Sequence, residues 1–358
     1  MSLTATGRNR IESLDSCRGI AILIVIAFHV SVPYKPAAWL GQVATLGNLG
    51  VQLFFLVSAV TMCMMWNQRK NEARRTLKFY IRRYLRIAPL FWFAIGLYTF
   101  AWHMWPDIDV LREFSWRQIA VTALFVHTFF PDAINWVVPG GWSIGIEMGF
   151  YAVFPLLALM PKDRLPLIAF VAYIILGIIA TAIAEHFGIG ENYPGFLYYS
   201  FLTQLPIFPI GMFVYSITHR EVTFSARSIG MWVALWLCIA ALTKFAFQWD
   251  SRPLFWLEVM VLAAAVGSSI RWNLATKWLA YVGRLSYSMY LFHFAVLHFF
   301  LERNFGDHWP YFIGLAATLA ITIAIAAASQ ATAERWSQEF ARYLVNTLAD
   351  KSASTAKA

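Results

Sequence analysis

Apolar runs about twenty residues long recur from Ile20 to Thr332 and alternate with short polar loops. As a helix rising about 1.5 Å per residue, each run is long enough to cross a hydrocarbon core of roughly 30 Å. Backbone groups in lipid must pair within their own segment, so the runs predict helices. We expect an all-α polytopic membrane bundle of about ten transmembrane helices. The predicted spans are 18–36, 44–66, 84–105, 142–160, 166–187, 198–217, 228–249, 253–270, 278–301 and 310–332.

Segment 117–130, RQIAVTALFVHTFF, is apolar but short for a crossing, and counting it as one would reverse every later loop. Lys and Arg accumulate in the short cytoplasmic loops of membrane proteins. If 117–130 does not cross, 21 basic residues fall inside and six outside. We therefore predict a short outer-surface or re-entrant helix at this point and two cytoplasmic termini. A short eleventh crossing is the alternative.

The amino-acid composition further limits the class of protein to which the chain can belong. Hydrophobic residues make up 59% of the 358 positions and charged residues 13%, which is typical of an integral membrane protein. The net charge of +9 lies mostly in membrane-flanking loops, so it indicates orientation rather than nucleic-acid binding. The three cysteines follow no metal-ligand spacing, and no metal site is predicted. We expect one transmembrane domain, 1–335, a cytoplasmic tail, 336–358, and no second soluble domain.

Two ionisable residues lie in the first predicted span, CRGIAILIVIAFHV, which begins at Cys17. Arg18 and His29 are eleven positions apart, so they return to nearly the same helix face with a rise of about 16 Å. Asp15 lies one helical turn before Arg18. Because ionisable groups are costly in lipid, they usually face a protein interior and have a function. The alternative for His29 is a packing histidine paired with a neighbouring carbonyl.

The loop NQRKNEARRTLKFYIRRYLRIAP, residues 67–89, carries the densest positive charge. Arg83 and Arg86 share a helix face just before a span, and paired guanidinium groups suit phosphate oxygens. These positions suggest a phosphorylated donor that enters from the cytoplasm. Arg82 belongs with Arg83 and Arg86 immediately before the span. We interpret Arg69, Lys70, Arg74 and Arg75 mainly as topogenic charge that attracts anionic lipid.

Further polar residues interrupt later spans and could line one cavity with His29. The alternative is a set of interhelical hydrogen bonds, the usual role of Ser and Tyr between membrane helices. Four other histidines, at 103, 127, 298 and 308, fall near predicted outer boundaries and fit interface or surface positions. The polar candidates are Gln52, Ser58, Trp142, Ser143, Glu147, Arg284, Ser286, Tyr287 and His293.

Five motifs occur in order along nearly the whole chain: LDSCRGIAILIVIAFHV, GVQLFFLVSAV, RRYLRIAP, GGWSIGIEMGFY and YVGRLSYSMYLFHF. By these motifs the chain resembles the integral-membrane acyltransferase family 3, whose members O-acylate cell-surface glycans and related acceptors. It is similar to the stand-alone form, which lacks a fused esterase-like domain. Gln52, Ala59 and Met148 depart from the family pattern, which affects the expected acceptor more than the reaction class.

The resemblance implies a bacterial inner-membrane O-acyltransferase. It would move an acyl group, acetyl first, from cytoplasmic acyl-coenzyme A to a hydroxyl of an extracytoplasmic polysaccharide or lipid-linked glycan. Acyl-coenzyme A is then a co-substrate; no permanently bound cofactor and no nucleic-acid partner are expected, and membrane lipids surround the protein. His29 would be the general base, with Asp15 or Glu147 assisting. The other implied contacts are Arg18, Arg83 and Arg86 to the donor, and Ser58, Trp142, Ser143, Tyr287 and His293 to the substrate. A lipid-linked sugar transporter or flippase is one alternative. A sensor or assembly partner that has lost activity is another, since Gln52, Ala59 and Met148 are altered positions.

Overall fold

The structure is a computed structural model and describes residues 5–105, 114–189, 195–221, 255–306 and 308–355, together with 193, 230 and 234. Every regular element within these ranges is helical, which confirms the predicted all-α class. The predicted span 228–249 lies almost wholly outside the described residues.

The α-helices, in chain order, are α1 (Ala5–Val30), α2 (Ala38–Thr45), α3 (Gly50–Gln68), α4 (Arg75–Met104), α5 (Trp116–Ala123), α6 (Trp142–Leu157), α7 (Leu165–His186), α8 (Phe196–Tyr199), α9 (Phe201–Gln204), α10 (Ile207–Thr218), α11 (Phe255–Arg271), α12 (Lys277–Phe294), α13 (Arg303–Phe305), α14 (Tyr311–Ser329) and α15 (Arg335–Thr355). Short 3-10 turns occupy Leu46–Leu49, His127–Phe129 and Lys162–Arg164. Wider π-helical segments occupy Ala295–Glu302 and Gln330–Glu334.

Five helical stretches in the described ranges are long and apolar enough to cross a membrane. They are Ala38–Gln68, Arg75–Met104, Lys162–His186, Phe201–Thr218 and Tyr311–Leu348, and Trp142–Leu157 is a shorter apolar helix. The chain is thus a multi-pass membrane protein, and the count of ten spans stays a prediction.

The first compact unit comprises Met1–Phe28, Ala38–Cys63 and Leu156–Arg284. Glycines bring α1 and α12 into close approach within it. A Cβ atom at Gly283 would lie 1.8 Å from the carbonyl oxygen of Asp15, and one at Gly19 would lie 2.2 Å from that of Leu279. Small residues are what allow membrane helices to approach this closely. The contact fixes the part of α1 that carries Asp15 and Arg18.

The second compact unit comprises His29–Ala37, Met64–Pro155 and Leu285–Ala358. In it α4 packs along α15, and tyrosine hydroxyls join α4 to α12. Tyr287 Oη donates to the carbonyl of Ile87 at 2.7 Å, and Tyr98 Oη donates to that of Leu291 at 2.9 Å. Each buried hydroxyl thus has an acceptor on the other helix, which fixes the register of α12 against α4.

Segment 117–130 does not form one continuous crossing helix. The eight residues of α5 rise only about 12 Å, and the chain then turns at Phe125, whose φ is +62°. The expectation that His127 lies at an interface or surface is wrong, since only 1% of this residue is exposed. His127 lies over the ring of Phe91 and its Nε2 is 3.1 Å from the carbonyl oxygen of Gly141. Burial lowers the pKa of His127 to about 4.

Candidate active site

Two histidines meet in the second unit. His29 lies in the last turn of α1, and His293 lies on α12, 264 residues later. The Nδ1 atom of His29 is 3.3 Å from Nε2 of His293, and the ring centroids are 5.1 Å apart. His293 is fully buried, whereas His29 is partly exposed. The structure thus brings together the predicted base and a predicted substrate contact.

The carbonyl groups around His293 determine which ring nitrogens carry protons. Its Nδ1 is 2.7 Å from the carbonyl oxygen of Tyr290 and 3.2 Å from that of Met289, and carbonyl oxygens only accept. Nδ1 of His293 is therefore the N–H nitrogen, and Nε2 of this neutral ring accepts a hydrogen bond from Nδ1–H of His29. We infer that neutral His29 keeps its lone pair on Nε2. That nitrogen can take a proton from a substrate.

An aromatic ring and a π-helical segment lie next to the histidine pair. The Phe294 ring lies 4.4 Å from the ring of His29 and 4.3 Å from that of His293. Immediately after Phe294 the helix widens into the π-helical segment Ala295–Glu302, a feature that is frequent at functional sites. Phe294 also stacks on His298, whose Nδ1 is 2.6 Å from a carboxylate oxygen of Glu302.

The first turn of α6 lies next to the same part of α12. Ser143 Oγ is 2.9 Å from Tyr290 Oη, and both hydroxyls lie within hydrogen-bonding distance of the carbonyl of Gly140. Gly140 has a φ of +76°, a conformation in which a side chain is strained. Trp142 is also buried at this position, next to Ser143. The predicted substrate contact Ser143 is thus linked to the histidine pair through Tyr290, whose carbonyl accepts from His293.

In the first unit, Arg18 donates hydrogen bonds to side-chain oxygens of α1 and α3. Its guanidinium donates to a carboxylate oxygen of Asp15 at 2.8 Å and to Thr61 Oγ1 at 2.7 Å. Thr61 in turn donates to the carbonyl of Val57. Asp15 therefore contacts Arg18, while Nδ1 of His29 lies against another imidazole.

A pocket with a volume of about 300 Å³, counting the open space at its mouth, lies between the end of α3 and the start of α4 in the second unit. Four guanidinium groups, one carboxylate and three apolar side chains line it. These residues are Met65, Trp66, Arg69, Glu72, Arg75, Phe79, Arg82 and Arg83. Its formal net charge is thus +3, which suits the binding of an anion.

The arginines of this pocket are held by the end of α3. Arg75 lies 3.6 Å above the Trp66 ring and donates to the Trp66 carbonyl at 2.6 Å. Its Nε is buried without a hydrogen-bond partner among the described residues. Arg83 is 5% exposed, and its Nη2 contacts the sulfur of Met65 at 3.2 Å. The buried Arg75 Nε is thus a donor that a bound anion could satisfy.

Glu72 is the carboxylate of the pocket. Its two oxygens accept from the two terminal nitrogens of Arg82 at 2.8 and 2.5 Å, and Lys78 Nζ lies 3.8 Å from one of them. The Arg82 guanidinium beside it holds the pKa of Glu72 below its usual value. The side chains of Glu72 and Arg82 are 21% and 25% exposed, so solvent reaches this ion pair.

Glu147 lies close to the arginines. It accepts from Tyr151 Oη at 2.5 Å, and the Arg83 guanidinium lies 5.3 Å from the Tyr151 ring. Arg86 is exposed, lies outside the set of pocket-lining residues, and interacts electrostatically with Arg83 and Tyr151. Glu334, an acid that sequence reasoning missed, also interacts electrostatically with Arg86 and contacts the Ser288 hydroxyl.

Three other predicted positions have structural contacts. Tyr287 joins α12 to α4 through its hydroxyl, and Ser58 is buried on α3 in the first unit. Gln52 is fully buried in that unit and contacts Tyr198 Oη at 3.0 Å.

In the described ranges no group of three or more His, Cys, Asp or Glu residues could hold a metal ion.

Fold and site define a helical multi-pass membrane protein with a coupled histidine pair and a cationic pocket. The family model for an acyltransferase domain, acyltransferase 3, matches residues 11–327. The chain belongs to this family, as its motifs predict.

Two curated relatives are similar over most of the chain. The peptidoglycan O-acetyltransferase OatA of Listeria monocytogenes is 23% identical over 89% of this chain and 55% of its own length. The O-acetyltransferase OatA of Staphylococcus aureus is 24% identical over 81% of this chain and 51% of its own. This chain thus spans about half the length of these relatives. No solved structure matches it significantly.

Proposed function

We propose that the protein is a membrane-bound O-acyltransferase. It moves an acyl group from cytoplasmic acyl-coenzyme A to a hydroxyl of an extracytoplasmic polysaccharide or lipid-linked glycan. Acetyl is the first candidate because the relatives are named O-acetyltransferases, and succinyl or another short acyl group is the alternative. The single observation that carries the proposal is the His29–His293 pair, because it leaves a basic nitrogen on His29.

The arginine pocket suits the donor. Coenzyme A carries phosphate groups at one end and its reactive thioester at the end of a long pantetheine arm. Arg83 and Tyr98 are fifteen residues apart on α4, a rise of roughly 20 Å, and Tyr98 contacts Leu291, two residues before His293. Phosphates held by Arg82 and Arg83 would thus allow an extended arm to reach toward the histidines. Arg86 and, by sequence pattern, Arg18 remain candidates for supporting donor contacts.

His29 acts as general base in the proposed reaction. Nε2 takes the proton of the attacking hydroxyl while the oxygen forms a bond to the acyl carbon, and the thioester bond breaks to release the coenzyme A thiolate. A neutral imidazole suits this task near ambient pH. His293 is a positioning residue that holds the required tautomer. Ser143 and Trp142, near the same part of α12, are proposed to contact the acceptor.

A covalent route is also chemically possible, with the acyl group first on His29 and then on the acceptor. Trapping a labelled acyl-enzyme distinguishes this route from direct transfer. Glu147 contacts Tyr151 beside Arg83, which favours a role near the donor. Asp15 pairs with Arg18 and is proposed to support it.

The decisive experiment places the purified full chain in nanodiscs with labelled acetyl-coenzyme A and a candidate glycan. Acetylated glycan is expected. Movement of unmodified lipid-linked glycan across vesicles without transfer would instead identify the transporter or flippase. Mass analysis of surface polysaccharide from cells with and without the gene then identifies the acyl group and acceptor together.

A further inference from the structure

The arginine pocket already contains an anion of its own. Glu72 lies in the six-residue connection between α3 and α4, and its carboxylate occupies both terminal nitrogens of Arg82. A paired guanidinium fork is also the preferred partner of a phosphate group. Carboxylate and ligand phosphate would therefore compete for the same donors.

The remaining charge of the pocket favours a ligand with more than one negative charge. Arg69, Arg75 and Arg83 line the same pocket, and their guanidinium groups contact carbonyl oxygens, a sulfur and aromatic rings. Carbonyl partners leave the positive charges uncompensated, so only Glu72 opposes four guanidinium groups among the lining residues. A phosphorylated ligand could compensate the rest.

The connection that carries Glu72 ends in an unfavourable backbone conformation. Arg74 has a φ of +53°, which is unfavourable for a residue with a side chain, at the junction with α4. Glu72 is partly exposed at the pocket mouth, so its carboxylate can turn toward water without leaving an unpaired charge buried. Lys78, which is 4% exposed, stays near the vacated position as a further cation.

We propose that Glu72 is a built-in competitor of the pocket: a phosphate-bearing ligand must displace its carboxylate from Arg82, and this exchange sets the ligand's affinity and favours multiply charged anions. The inference rests on the proposed function for the identity of the ligand as coenzyme A. The anion competition itself holds for any soluble polyphosphate.

The test compares wild-type protein with Glu72→Gln, which keeps the size of the side chain and removes its charge. Glu339→Gln is the matched control, because Glu339 pairs with Arg335 on α15, is not one of the lining residues, and loses the same charge. Full-length proteins in phosphatidylcholine nanodiscs are titrated with coenzyme A and with inorganic pyrophosphate by calorimetry. A parallel set adds phosphatidylglycerol, which offers lipid phosphate as a competing source of the same chemistry.

We expect Glu72→Gln to bind coenzyme A and pyrophosphate at least about fivefold more tightly than wild type, with monovalent acetate showing less gain. Glu339→Gln should bind as wild type does. Equal or weaker binding by Glu72→Gln overturns the inference, and so does failure of both proteins to bind either anion. If Glu72→Gln changes only how strongly phosphatidylglycerol competes with the soluble anions, the inference is also overturned, and the pocket is assigned to lipid phosphate. Acyl transfer by the wild-type protein is measured separately. If Glu72→Gln binds pyrophosphate more tightly but the wild-type protein transfers no acyl group, the role of Glu72 as a competitor is kept and the proposed acyltransferase function is rejected.

Discussion

The hydrogen bond between His293 and His29 predicts different effects for two amide substitutions. The Nε2 atom of His293 is the acceptor toward His29, and its Nδ1 donates to main-chain carbonyls. His293→Gln can place an amide oxygen near the former Nε2 position. His293→Asn reaches only the former Nδ1 position and leaves Nδ1–H of His29 without its acceptor. The Gln variant should therefore retain most activity and the Asn variant should lose it.

The size of the loss follows from the cost of removing this hydrogen bond. For a partly buried donor we take a cost of about 1–3 kcal/mol, and each ~1.4 kcal/mol is about tenfold in rate. We expect His293→Asn to lower kcat for acetyl transfer about 10- to 100-fold, with the KM for acetyl-coenzyme A unchanged. His293→Gln should stay within about fivefold of wild type.

The assay is transfer from labelled acetyl-coenzyme A in nanodiscs, normalised to protein that elutes as a single folded species. A purely structural role would lower folded yield in both variants and leave turnover per folded molecule unchanged. Wild-type kcat in His293→Asn, or an equal loss in both variants, would refute the assigned tautomer.

Three further predictions follow from these contacts. Replacing Arg83 and Arg86 by alanine should weaken coenzyme A binding at least about tenfold in calorimetry, because hydrogen-bond donors to phosphate are lost. A double alanine variant of exposed α15 arginines is the control. If both variants bind coenzyme A with wild-type affinity, Arg83 and Arg86 only orient the protein in the membrane. Gly283→Ala should lower the thermal unfolding temperature of the detergent-solubilised protein, because its Cβ would lie 1.8 Å from a carbonyl oxygen on α1 and overpacking costs about 1–3 kcal/mol. Gly96→Ala is the control and should not lower it, since nothing among the described residues lies within 4 Å of that Cβ. Equal unfolding temperatures of the two variants would contradict the close approach of α1 and α12. Burial lowers the pKa of His127 to about 4, so the contribution of the neutral imidazole to stability is present above the ordinary pKa of 6.5 and is lost as pH falls toward 4. Between pH 6.5 and 4 the unfolding temperature of His127→Gln should therefore fall less than that of wild type. Parallel curves for the two proteins would contradict a buried neutral imidazole.

Hydropathy and local spacing could predict helices and the first site residues. The apolar runs predict α3, α4 and α7 near their observed positions, because lipid leaves the backbone no alternative to helix. The eleven-residue spacing identifies Arg18 and His29 because it needs only the helical period. These inferences depend on short stretches of chain.

Long-range contacts could not be predicted in the same way. His293 meets His29 across 264 positions, and no period in the sequence relates them. Arg69 and Arg75 have the pattern of topogenic charge, yet the connection folds them into the pocket beside Arg83. The signal that could have indicated this is Glu72, a lone acid within a basic loop that needs cationic partners. His127 was misplaced because hydropathy gives a segment's apolarity but not which of its side chains is covered.

The central claim is that His29 is the proton acceptor in acyl transfer. Its most direct test is the turnover of His29→Ala with labelled acetyl-coenzyme A and the acceptor glycan, in nanodiscs, at matched amounts of folded protein and with coenzyme A affinity measured in parallel. We expect a loss of transfer on the order of a thousandfold with unchanged coenzyme A binding. Transfer at the wild-type rate would contradict the claim.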